Sequence, residues 1–144
     1  MLGACRTAVK FIEAEAPHAM RLIEDSAISR FVASIAKEQP NTATLYRAMS
    51  QAEMDITLAS LRPNYLSRFK WFSDEPDFIL RRVMDGKFNN SAQRPDRYAT
   101  MLAFQIPETQ LQALSRVSKH ELMLDVRKAH TLDWLSIKEI GRRV

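Results

Sequence analysis

Residues 98 to 106, Tyr-Ala-Thr-Met-Leu-Ala-Phe-Gln-Ile, constrain the fold more than any other part of this chain. A run that is apolar on both alternating faces fits a strand covered on both sides, so this segment is expected at the centre of a sheet. Shorter apolar runs flank it: strands are expected at Thr44 to Ala48, Phe69 to Phe72, Glu121 to Val126 and Trp134 to Ile140. Helices are expected between them. One runs from Gln51 to Leu61 with Met54, Leu58 and Leu61 inward. A second follows a Ser73 or Asp74 cap, carries Glu75, Pro76 and Asp77 in its first turn, and ends at Gly86. A third, short one runs from Pro107 through Leu114. The polar stretch from 87 to 97 reads as a loop.

Upstream, helical spacing of Ala8, Phe11 and Ile12 predicts a helix from Ala4 to Ala16. Pro17 then opens a second, whose stripe is Met20, Ile23, Ala27, Phe31 and Ile35. Strand-helix alternation favours parallel pairing, but the strands are short and the last two are close enough to pair antiparallel. The expected class is α+β: a short mixed, mainly antiparallel sheet, with residues 1–40 as a helical segment packed on a core of 41–144.

At 144 residues the chain fits one domain, and 46% hydrophobic with 26% charged residues excludes a disordered composition. No apolar run approaches the roughly 20 residues of a membrane span. Lys10, Glu13 and Glu15 interrupt the N-terminal stretch, so no signal peptide is expected, and the chain is placed in the cytoplasm or among delivered effectors. The single cysteine, Cys5, makes no internal disulfide, and no Cys/His spacing resembles a zinc site. Net charge is +4, and between Leu61 and Thr100 eight bases stand against five acids. That excess fits an anionic partner or a solvated surface.

Three residues stand out chemically. Arg47 ends an expected strand, and its guanidinium fork suits phosphate or carboxylate, or a structural pair with Glu53. Ser73 follows Trp71-Phe72 at a strand-to-helix junction, where a hydroxyl either orients a ligand or caps the helix. Glu139 ends the last apolar run; a buried acid there suits stabilisation of a developing cation, and a solvated one beside Lys138 and Arg142 does not. Glu121 is its substitute. Tyr46 and Trp71 are candidates for stacking on a base or nicotinamide ring, or for the core. Ser50 and Glu53 have capping-box spacing. His120 and His130, with Lys119, Arg127 and Lys128 nearby, have the composition of a metal-independent ribonuclease.

Leu45-Tyr46-Arg47-Ala48-Met49-Ser50-Gln51-Ala52-Glu53, then Lys70-Trp71-Phe72-Ser73, then the strand ending Gln105-Ile106-Pro107, together resemble bacterial toxin modules of the ADP-ribosyltransferase type. Such modules often end polymorphic or contact-dependent toxins. The resemblance covers about residues 44–107. It implies NAD as co-substrate, Arg47 holding it, Ser73 positioning it, and Glu139 supporting transfer of ADP-ribose to a protein or nucleic-acid target. An immunity protein is the implied partner. A ribonuclease and a non-enzymatic binding or immunity module are the alternatives.

Overall fold

The computed structural model describes residues 9–12, 20–22, 40–64, 67–87 and 94–143. Its strands are β1 (Val9–Ile12), β2 (Met20–Leu22), β3 (Thr42–Met49), β4 (Phe69–Phe72), β5 (Thr100–Pro107), β6 (Ser115–Arg116), β7 (Leu122–Asp125) and β8 (Ser136–Arg143). Helix α1 spans Gln51–Ser60 and α2 spans Pro76–Asp85, and 3-10 helices occupy Glu108–Ala113 and Val126–Thr131. The strands form a five-stranded sheet, β2-β1-β8-β5-β3, and a three-stranded sheet, β4-β7-β6. Every described pairing is antiparallel. The class is α+β.

The both-faces-apolar segment does lie centrally: β5 is hydrogen-bonded to β3 on one side and β8 on the other. On one face of this sheet, Tyr46, Ala48, Met101, Ala103 and Ile140 pack against Ile79, Leu80 and Val83 of α2. On the other, Leu45, Met49, Leu102, Phe104 and Ile106 meet Phe72, Leu122 and Leu124 of the small sheet and Met54 of α1. A central strand with both faces covered needs no polar alternation, which is why its sequence has so little.

Local chemistry sets the helix ends. Ser50 Oγ accepts from the Glu53 amide at 3.1 Å and starts α1. Pro76 opens α2, and Gly86 closes it at φ 66° with its N–H on the Arg82 carbonyl at 2.8 Å. A Cβ at Gly86 would also lie 3.1 Å from the Arg143 guanidinium and 3.3 Å from Pro95, so the close approach adds to the backbone reason for glycine there.

The N-terminal expectation needs correction where it can be compared. Val9–Ile12 and Met20–Leu22 fall inside the expected helices and are strands; the rest of residues 1–39 lies outside the described residues. β1 pairs with β8 from Val9↔Arg143 to Phe11↔Gly141, and that edge pairing overrides a local helical spacing. The last two strands also do not pair with each other. β7 belongs to the small sheet and β8 to the large one, because the 3-10 helix Val126–Thr131 and the turn after it carry the chain between layers.

Candidate functional site

Strand alternation aims Leu45, Arg47 and Met49 at the layer between the two sheets, so Arg47 enters an apolar layer as a charge. It is met there by Glu53 from the first turn of α1. Arg47 Nε donates to Glu53 Oε2 at 2.6 Å and Nη2 to Oε1 at 2.9 Å, a bidentate pair, while Nη1 donates to the Trp71 carbonyl at 3.0 Å. Lys70 enters from β4, its Nζ 3.4 Å from Glu53 Oε1, with its side chain 1% exposed. One carboxylate thus serves two cations. Burial pushes the Glu53 carboxyl up, but the hydrogen bond and charge of Arg47 and the charge of Lys70 outweigh it and hold the pKa below the ordinary value. Lys70 is shifted down, by burial first and by the Arg47 charge second.

A second polar cluster occupies the same layer. Arg47 registers with Leu102 and Leu102 with Glu139, so Arg47 and Glu139 share one face of the sheet with a single strand between them. The register of β5 against β8 shifts between Met101 and Leu102, passing over Ile140. Arg142 donates to Glu139 through Nε at 2.9 Å and Nη2 at 2.5 Å. The Thr100 hydroxyl contacts the same carboxylate and lies 2.9 Å from the Gly141 carbonyl. Met54 Sδ, 3.7 Å from that hydroxyl, marks the seat of α1 over this strip. Only Glu53, Met54 and Thr57 of α1 are buried.

Ser73 is joined to β3 by an isolated bridge, with Tyr46 N–H on the Ser73 carbonyl at 2.8 Å and the reverse bond at 3.0 Å. Its buried Oγ accepts from the Glu75 amide at 3.0 Å, a turn bond ahead of α2, whose cap position is held by Glu75 rather than by the expected Ser73 or Asp74. Arg47 and Glu139 thus share a face across β5, whereas Ser73, paired with Tyr46, lies on the Tyr46 side of β3 and is not brought together with them. The two aromatic candidates do not join them. Tyr46 is buried against α2 on the opposite face, where desolvation pushes its phenol up to about 12. Trp71 points outward from β4, 41% exposed.

His120 and His130 flank β7 at opposite ends and so do not converge. His120 instead contacts the Glu75 carboxylate through Nδ1, and its ring stacks on Phe78 with centroids 4.9 Å apart. The pair lines a cleft of about 570 Å³ whose walls include Asp74, Arg81, Arg82 and Lys87, but not Arg47, Ser73 or Glu139. Glu121, the substitute acid, pairs with Arg82 at 3.2 Å. Cys5 and His18 lie outside the described residues.

Sequence reasoning missed Lys70, Thr100, Arg142 and Glu75. The signal for Lys70 was present: in Phe69-Lys70-Trp71-Phe72 the two-residue period puts it on the face of Phe72. No comparable signal marks Glu75, whose partner is 45 residues away. Among the described residues no group of three or more His, Cys, Asp or Glu could hold a metal ion, and no described helix is long and apolar enough to cross a membrane. No protein-family model, curated protein or solved structure matches this chain.

Proposed function

We propose that the polar strip around Arg47 and Glu139 is an NAD site and that the chain transfers ADP-ribose to a macromolecule, as a toxin-type effector. One observation supports the reading: Arg47 and Glu139, far apart in sequence, lie on one face of the large sheet with only β5 between them. The donor chemistry fits in part. The Arg47 fork, which already grips a carboxylate bidentately, suits a phosphate equally well. Glu139, held by Thr100 and Arg142, supplies fixed negative charge where a ribose cation develops. Tyr46 and Trp71 do not fit a stacking role at this site, since one lies behind the sheet and the other outside it. In the transfer, the ribose–nicotinamide bond breaks, the ribose carbon bonds to a nucleophile of the target, and the proton of that nucleophile goes to solvent.

The test is NAD turnover and labelling of lysate components by wild type, Arg47→Lys and Glu139→Gln. Both variants are expected to lose about 100-fold or more in rate, with NAD raising the melting temperature of the wild type. A wild-type protein that neither binds nor cleaves NAD ends this reading. Co-expression of a neutralising immunity protein is expected to relieve any toxicity.

A second reading is favoured by the His120–Glu75 contact. A carboxylate and an imidazole in contact at a cleft wall form an acid–base pair, and Arg81, Arg82 and Lys87 supply cations for a phosphodiester. In that chemistry Glu75 takes the proton of a ribose 2′-hydroxyl, that oxygen bonds to phosphorus, and His120 protonates the departing 5′-oxygen. His120 is 41% exposed in its side chain, so His120→Ala should fold normally. RNA cleavage in chelator and without NAD, lost in this variant and kept in Arg47→Lys, would select this reading over the first.

A further inference from the structure

The outward face of the small sheet carries the inference. Period-two alternation along β4 buries Lys70 and Phe72 and leaves Phe69 and Trp71 outside, 39% and 41% exposed. These are the only aromatic side chains among the large exposed hydrophobic residues described. Cross-strand register extends the face through Trp71↔Met123 and Met123↔Ser115. The two rings lie on this face roughly 7 Å apart along one strand, opposite the partly exposed Met123 and Asp125.

Cations border the rings. The Arg68 guanidinium lies over the Phe69 ring, 4.8 Å from its centroid. Arg68 and Arg127 both reach Asp125, at 3.2 and 3.0 Å, so two guanidiniums share one carboxylate and leave a positive surplus. Arg62, Arg127 and His130 line an adjacent hollow of about 290 Å³. Lys128 is exposed beside them. At the far end, Arg116 is paired with Asp74 at 2.6 Å and adds no surplus.

Exposed rings on a sheet face, with fixed guanidinium planes and excess positive charge at one end, suit an unpaired polynucleotide: bases stack on the rings and on Arg68, and phosphates take the arginines. A duplex keeps its bases stacked inside and offers nothing to Phe69 or Trp71. We infer that the β4-β7-β6 face binds a single-stranded polynucleotide, with Phe69 and Trp71 as stacking platforms and Arg68 and Arg127 as phosphate contacts. This rests on neither chemistry proposed above, and it names a nucleic acid as the target class for either.

The experiment is fluorescence anisotropy of short labelled single-stranded RNA and DNA with the full chain, without NAD, over a range of salt concentrations. Binding is expected, weakening as salt rises. Trp71→Ala and Phe69→Ala should each weaken it about tenfold, and Arg68→Ala with Arg127→Ala should flatten the salt dependence. A preference between RNA and DNA strands would identify the polymer. Absence of binding, unchanged affinity in a Phe69→Ala/Trp71→Ala double variant, or equal affinity for duplex would overturn the inference. Because the substituted rings are exposed, lost binding with unchanged melting is not a folding defect. Loss of NAD turnover in Arg47→Lys is read separately and leaves this result untouched.

Discussion

Glu53→Ala is expected to lose about 3–5 kcal/mol of folding stability, the cost of stripping a buried ion pair of one partner. The removed carboxylate is bonded to Arg47 through both oxygens and lies 3.4 Å from Lys70 Nζ, so the variant leaves two cations in an apolar layer without it. The helix cap survives, because Ser50 Oγ engages the main chain of residue 53 and not its side chain. Equilibrium denaturation measures the loss; a change under 1 kcal/mol would mean the network is solvated. Wild type should show the same dependence through pH. A carboxyl held below its ordinary pKa contributes stability that is fully present above the ordinary value of 4.5 and is lost as pH falls through the depressed native value. Glu53→Ala should lack that part of the acid limb.

Phe104→Ala is expected to cost about 3–5 kcal/mol by a different cause, the cavity left in the interlayer core. Phe104 is 0% exposed on β5. Its ring meets Phe72 edge-on at 5.2 Å and Trp134 at 5.7 Å, joining the central strand to the small sheet and to the segment before β8. Trp134 is pinned in turn, its indole N–H on the Ala129 carbonyl at 2.8 Å, so it cannot swing into the space. Phe104→Leu should lose under about 1.5 kcal/mol because most volume is kept. Denaturant midpoints with an unchanged slope would report these losses; a small loss in Phe104→Ala would mean that the layers close over the cavity.

The contrast between these two sites explains what could be read from the sequence. β5, β4, both main helices, the Ser50 cap and the Gly86 stop follow from short-range rules: apolar runs, capping hydroxyls, a left-handed glycine. The Arg47–Glu53 pair was within reach too, six residues apart and weighed as one of two roles for Arg47. Lys70 joining them was not, because an apolar strand does not announce which acid its one lysine will meet. The same holds for Glu139. Its neighbours Lys138 and Arg142 suggested a solvated residue, yet Arg142 binds it and Thr100, 39 residues earlier, completes the cluster. β1 and β2 escaped for a related reason: their backbone partners are β8 and each other, and edge pairing leaves little trace in side-chain period. Ser73 was only half legible: its hydroxyl accepts from the Glu75 amide just ahead of α2, but Glu75 holds the cap position and the bridge sets Ser73 opposite Tyr46 rather than Arg47.

Between β3 and β4 the described main-chain pairing consists of the two Tyr46–Ser73 bonds, whereas β3 and β5 run side by side for eight residues. So narrow a join resists bending far less than a full ladder does. It is a crease, held shut by the buried side chains that the two sheets share. Arg47 stitches across that crease through its bond to the Trp71 carbonyl. Without that bond the join would rest on the two Tyr46–Ser73 contacts and on the apolar side chains packed between the layers.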